Sequence, residues 1–410
     1  MLWTLPRRLR RATRGRPRRF VGILSIVILV LDFLFVCLSN PQALRVAPSA
    51  KYKEKVFIAS IHRNNEKILR SHWNAAILGL VSYYGADNVF ISVYESGSIE
   101  NTKEALRELD GELDRLSVDR SIILDEHDQL EEVSRKLEEG EEGWIWTIRH
   151  KWELRRIPYL ANLRNKVLEP LKAQASVGRK YDVVLWLNDV VFTTEDVTTL
   201  LATRGGSYDA VCSLDFSNAI IYYDTFALRD SKGQKALPQT WPYFQSSASR
   251  SALMANQPVP VKSCWNGIVA FKSAPFYADP ALRFRGIPDS LAEHHLEASE
   301  CCLIHADNKQ SKSRGVWLNP NVRVGYNAEA YDAVNPRSGK WPSGMTRVTG
   351  LWRNRLSRWL GWPKLVAERA TVMGRVKTWL DDAKREVDDP VEHCLINEMQ
   401  VLREAGWEHV

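Results

Sequence analysis

Between residues 56 and 214 the chain alternates short β-favouring runs with helical stretches about every 20–30 residues, and that alternation restricts it to a layered α/β sheet. Runs at 56–60, 88–94, 121–124, 181–187 and 208–214 read as strands. Stretches at 66–80, 101–116, 158–175 and 195–202 read as helices. In the first helix Ile68, Leu69, Trp73, Ala76 and Leu80 stand near helical spacing; in the second, Leu106, Leu109, Leu113 and Leu116 do. The acidic stretch 126–143 reads as an exposed charged excursion, with a solvated charged helix the favoured form. Beyond Asp215 the regularity weakens: 217–262 and 305–345 read as long loops, separated by a strand-like run at 264–272. No internal repeat is visible.

The fourth run has an abrupt end. Tyr181-Asp-Val-Val-Leu-Trp-Leu187 is followed by Asn188-Asp189, and apolar residues then resume. An unpaired charge inside a buried strand is very costly. At the carboxyl end of a strand it reaches the crevice where open α/β sheets bind ligands. Asp189 is therefore a candidate ligand for a hard divalent cation, Mn²⁺ or Mg²⁺, which takes carboxylate and phosphate oxygens. Asn188 stands beside it. Asp215 ends the next strand in the same way.

Charge is unevenly placed. The 410 residues carry a net charge of +7, but residues 1–39 hold eight Arg and one acid, Asp32. Residues 40–410 therefore have 48 charges of each sign, which excludes a basic footprint for nucleic acid. The basic tail, 1–19, precedes an apolar segment at 20–38, which as a helix spans about 28 Å, close to a bilayer core. A signal anchor with the arginines cytoplasmic, and hence a type II single-pass protein, is expected. A polar stem at 39–54 then leads to a domain at 55–345 and a helical extension at 346–410. Within that extension, 351–377 hold seven basic side chains and one acid, interleaved with three Trp; 378–410 hold nine acids and three bases. A basic, Trp-bearing helix suits a membrane surface, but packing on the domain beside the acidic segment is the favoured expectation. Of six cysteines, Cys212, Cys264, Cys301, Cys302 and Cys394 face an oxidising compartment, so at most two bridges form, with the pairing open.

Other candidates follow from position. Ser60, Arg63 and Glu66 lie between the first strand and first helix, where a nucleotide sits in such sheets. There is no glycine-rich dinucleotide loop and no Walker loop. Arg164 lies on the helix before the Asp189 strand. Trp265 and Asn266, in Cys264-Trp-Asn-Gly267, combine an aromatic face with an amide suited to sugars. Glu300 opens a helix, and His305 and Asp307 follow it.

These segments stand in order over roughly residues 55–330: Phe57-Ile-Ala-Ser with Asn64-Asn-Glu66, Val93-Tyr-Glu-Ser-Gly-Ser98, Leu163-Arg-Asn165, Leu187-Asn-Asp-Val-Val191, Leu214-Asp-Phe-Ser217, Tyr223-Asp224, Cys264-Trp-Asn-Gly267 and Ser299-Glu-Cys-Cys302. Together they resemble the fungal capsule-associated, cryptococcal-type α-1,3-mannosyltransferases. The resemblance implies a single Rossmann-like nucleotide-sugar domain of the GT-A type, a GDP-mannose donor, usually Mn²⁺, and a Golgi membrane location. It implies metal binding by Asp189, catalytic or sugar-facing roles for Asp215 and Glu300, and nucleotide-sugar contacts from Ser60, Arg63, Glu66, Arg164 and Asn188. Trp265, Asn266 and Asp224 would meet a mannose-containing glycan or glycolipid acceptor. The usual Asp-x-Asp signature is replaced by Asn188-Asp189-Val190, so the remaining metal ligands are open. A non-catalytic lumenal partner in polysaccharide assembly, or a transferase using another nucleotide sugar, are the alternative expectations.

Overall fold

Strand β1 (Val56–His62) is apolar on both faces and almost wholly buried, the pattern of a strand covered by helices on both sides. The computed structural model describes residues 23, 26–28, 30–34, 54–127, 129–337, 341–383 and 391–410. The expected tail at 1–19 lies outside them, as does the stem save Glu54. Of the expected span at 20–38, only residues 23, 26–28 and 30–34 are described, as helix. Among the described residues no helix is long and apolar enough to cross a membrane.

β1 opens a nine-stranded sheet completed by β2 (Val89–Glu95), β3 (Asp119–Leu124), β4 (Val183–Leu187), β5 (Ala210–Phe216), β6 (Arg229–Asp230), β7 (Val259–Ser263), β8 (Ile268–Lys272) and β9 (Val316–Gly325). Their spatial order is β3-β2-β1-β4-β8-β5-β9-β7-β6. β1 to β5 and β9 run parallel; β8 is inserted antiparallel between β4 and β5. Helices α1 (Asn74–Tyr84), α2 (Thr102–Arg115) and α4 (Thr194–Leu201) cover one face, on Val56, Ile58, Leu185 and Val211. Helix α3 (Arg156–Ser176) covers the other, on Phe57, Ala59 and Trp186. The expected α/β layering is present, in mixed form.

Three sequence expectations fail. The supposed loop at 217–262 contains β6, a helix at Ser247–Met254 and β7. The supposed loop at 305–345 contains β9, the longest strand of the sheet. Asn319-Pro320-Asn321 interrupts it and shifts its register between Leu318 and Arg323, which hides the β pattern. The C-terminal segment is not wholly helical. Helix α6 (Gly344–Ala383) is followed by short strands at Leu395–Ile396, Gln400–Arg403 and Gly406–His409. α6 packs through Val372, Val376 and Trp379 on Leu296, Leu303 and Met399.

Among the described residues the cysteines pair as Cys212–Cys264 and Cys302–Cys394, leaving Cys301 buried and free. The second bridge joins helix α5 (Glu300–Asp307) to the C-terminal segment across a separation of 92 residues. Cys302→Ser combined with Cys394→Ser is expected to cost about 2–5 kcal/mol in urea unfolding. An unchanged midpoint would show that the clamp contributes nothing.

Candidate active site

The parallel strands β1, β4, β5 and β9 bring four side-chain clusters to one end of the sheet. After β1 the chain turns sharply, with Asn64 in the left-handed region at φ 53°. This turn carries Asn65 across to β4, where its Nδ2 donates to Asp189 Oδ2 at 2.9 Å. Asn65 Oδ1 accepts from Arg63 N at 3.0 Å and lies 3.2 Å from His62 Nδ1. His62 Nε2 is 2.9 Å from Ser60 Oγ, which is 2.6 Å from Leu187 O. A polar chain thus runs from the last residue of β4 through β1 to Asp189. Burial pushes His62 down to about 4, against the Asn65 hydrogen bond, so the ring is neutral at pH 7. A π turn at Leu69–Trp73 rotates Trp73 so that its Nε1 donates to Asn188 O at 3.1 Å.

Asp189 is half-buried, and burial raises it to about 6 against the hydrogen bonds it accepts. Asp215 and the half-buried Asp224 interact, and both are held above the ordinary carboxylate range, by burial first. Asp215 Oδ1 accepts from Asp224 N at 3.2 Å and Oδ2 from Tyr326 OH at 3.1 Å. Asp224 Oδ1 accepts from Phe226 N and Ala227 N. Tyr326 is itself raised by burial and by the charges of Asp215, Asp189 and Asp224, so it stands among all three carboxylates. The exposed ring of Tyr223 leans on it, centroids 4.5 Å apart.

The turn before β8 closes the floor. Trp265 Nε1 donates to Asn188 Oδ1 at 3.0 Å, and Asn266 Nδ2 donates to Asp224 O at 3.0 Å. Gly267 has φ 81°, and a Cβ there would stand 2.6 Å from Val324 Cγ2 and 3.2 Å from Asp215 Cβ. Gly267→Ala is therefore expected to destabilise by about 2 kcal/mol or more through strain and overlap, read from the shift in melting temperature; a neutral outcome would contradict the packing. Behind the turn, Arg164 Nε donates to Glu300 Oε1 at 3.1 Å, its guanidinium 4.2 Å above the Trp265 ring.

The structure brings Asn188, Asp189, Asp215, Asp224, Asn266, Arg164 and Glu300 together but gives several of the expected site residues a supporting place instead. Trp265 is 2 % exposed and lies under Arg164, so it offers no open face to a sugar. Asn266 is fully buried and holds the Asp224 loop. Asp215 has no exposed surface either and orients Asp224 and Tyr326 rather than reaching a ligand. Ser60 is buried between strands. Glu66 gives its carboxylate to Arg70 at 3.0 Å. Arg63 reaches Glu404 O in the C-terminal hairpin at 3.2 Å. His305 packs internally, its Nε2 2.6 Å from Cys264 O, and Asp307 pairs with Arg285. Sequence reasoning missed Asn65, His62 and Tyr326. Tyr326 follows the interrupted strand and had no pattern to announce it.

Comparison with solved structures gives low-identity likenesses. A mannosyltransferase from Pyrobaculum calidifontis, solved with GDP-Man and Mn²⁺, is 13% identical over 90% of this chain and 86% of its own, with TM-score 0.37. GalNAc-T7, solved with UDP, GalNAc and Mn²⁺, is 12% identical over 81% and 55%, with TM-score 0.38. Glucosyl-3-phosphoglycerate synthase from Mycobacterium tuberculosis, with Mn²⁺ and UDP, is 15% identical over 68% and 72%, with TM-score 0.33. No curated protein matches the sequence. The family model described as cryptococcal mannosyltransferase 1 matches residues 55–307, from the residue before β1 to the last residue of α5, and takes in Asp189, Asp215, Asp224 and Glu300. A match over more than half of the chain, with these carboxylates inside it, settles the family: the chain belongs to the cryptococcal mannosyltransferase 1 family and is a glycosyltransferase.

Proposed function

We propose that the protein transfers mannose from GDP-mannose, in α-1,3 linkage, to a mannose-containing glycan or glycolipid. One observation carries the reading beyond family membership. Asp189, Asp215 and Asp224 all act on the buried Tyr326, and the hydrogen-bond donors they meet are amide, phenol and main-chain groups without charge. Asp215 is closed off behind Asp224, but Asp189 and Asp224 are part-open, and carboxylates held high by desolvation attract a cation. Asn266 Oδ1, buried and without a hydrogen-bond partner among the described residues, adds a hard oxygen on the same floor.

These residues fit Mn²⁺ or Mg²⁺, with Asp189 as the protein ligand and the donor's diphosphate supplying further oxygens. When bound, the ion would neutralise charge developing on the leaving diphosphate. Asn65 holds the Asp189 carboxylate in place, and Asn188 is fixed by Trp73 and Trp265. Asp224, oriented by Asp215 and Asn266, faces the sugars. Glu300 is held by Arg164 at the rear of the same floor.

The test is donor turnover by the purified chain over a panel of nucleotide sugars. GDP-mannose is expected to be consumed and the others spared; turnover of a different donor in its place would overturn the mannose assignment. A chelator is expected to abolish turnover and added Mn²⁺ to restore it, whereas activity that survives chelation would remove the metal from the mechanism. A Golgi type II arrangement is part of the proposal, with 20–38 as the span. The eight arginines before that segment and the two disulfides, which form in oxidising compartments, support it.

A further inference from the structure

Helix α6 presents two different faces. Leu351, Val372, Val376 and Trp379 are buried, and buried Asn354 donates through Nδ2 to Phe244 O at 3.1 Å, so this side is fixed to the domain. On the outer side Leu356, Trp359, Leu360, Pro363 and Val366 recur at helical spacing, with Trp362 beside them. Leu360 is 77 % exposed, Trp362 64 % and Trp359 63 %. The lone Leu is ordinary on a protein surface, but an ordered aromatic and aliphatic stripe is not.

Three observations say what covers it. Residues 351–377 carry seven basic side chains against one acid, and Arg353, Lys364 and Arg369 are exposed along the stripe. The described part of the apolar N-terminal segment, with Ile23, Ile26, Val27, Val30, Leu31, Phe33 and Leu34 exposed, is tied to this same helix: Asp32 accepts from Arg355 through both carboxylate oxygens. Ile220 and Ile221, exposed in the loop that leads from β5 to Asp224, line an open cavity of about 560 Å³ together with Arg353 and Leu356. Apolar residues with Trp and flanking cations match the boundary between headgroups and acyl chains of an anionic bilayer.

We propose that α6 is an interfacial helix that seats the catalytic domain on an anionic lipid bilayer through Leu356, Trp359, Leu360, Trp362 and Val366, with the Ile220–Ile221 loop meeting the same surface.

The experiment uses the full chain carrying Cys37→Ser and Leu360→Cys, labelled with an environment-sensitive dye and reconstituted into phosphatidylcholine vesicles with or without phosphatidylserine. The readout is local, so it does not depend on how segment 20–38 associates. The dye is expected to shift to the blue and to be quenched several-fold more by doxyl lipid when phosphatidylserine is present. The same dye at Thr378→Cys, exposed near the far end of α6, is expected to keep its aqueous emission. Arg353→Glu with Lys364→Glu and Arg369→Glu is expected to abolish the phosphatidylserine dependence. Aqueous emission at position 360 in both vesicles would overturn the proposal. So would efficient cross-linking between two position-360 thiols in detergent, which would assign the stripe to a second copy of the chain.

Discussion

Asp189→Asn is expected to lower mannosyl transfer about 10³-fold, equivalent to on the order of 4 kcal/mol of transition-state stabilisation, while the protein stays folded. The amide is nearly isosteric and retains an oxygen for Asn65 Nδ2, but it loses the charge that attracts the cation. Stability should move the other way. Burial holds folded Asp189 near 6, above the usual unfolded value of about 3.9. The folded chain therefore binds this proton more tightly than the unfolded chain. The contribution of Asp189 to stability is highest below pH of about 4 and is lost as pH rises towards 6. Asn carries no such penalty. In chelator-treated protein at pH 7, Asp189→Asn should unfold at higher urea than the parent, and the difference should vanish below pH of about 4. A fall in turnover of less than about tenfold would remove Asp189 from the reaction.

The second large effect is expected at Arg164. Its guanidinium satisfies Glu300, which is 3 % exposed, and rests on Trp265 and Phe284. Arg164→Ala leaves that carboxylate buried and unpaired and removes the stacked plane, at a cost of about 3–5 kcal/mol. Arg164→Ala combined with Glu300→Ala should recover part of the loss, because the orphaned charge goes with its partner. Urea unfolding of the two single variants and the double variant measures the coupling. Additive losses would mean that the pair does not interact. Because Trp265 also fixes Asn188, the Arg164 variant should bind donor more weakly even where it remains folded.

The strands that carry Asp189 and Asp215 were legible because both are continuous apolar runs ended by a carboxylate, and a parallel sheet buried on both faces requires that pattern. β9 was not legible: Asn319-Pro320-Asn321 sits inside it, and the strand holds its place only through pairing with β5 and β7. Tyr326 was lost with it. Trp265 shows the opposite error. Trp beside Asn and Gly suggests a sugar platform in a sequence, yet the Cys212–Cys264 bridge and the Gly267 turn fold that Trp into the core. Asn65 stood in a quoted motif without a role, since nothing local says that a turn in the left-handed region will aim it 124 residues onward at Asp189.

The sequence by itself determined the α/β layering, the crevice end of the sheet and its acidic residues, because these follow from local periodicity and from the cost of burying charge. Only the tertiary structure decided which carboxylates are open and which are held from behind. It alone paired the cysteines, reached Tyr326 through a disguised strand and left the Trp face of α6 uncovered. Those outcomes depend on contacts between residues far apart in the chain, and no local pattern encodes them.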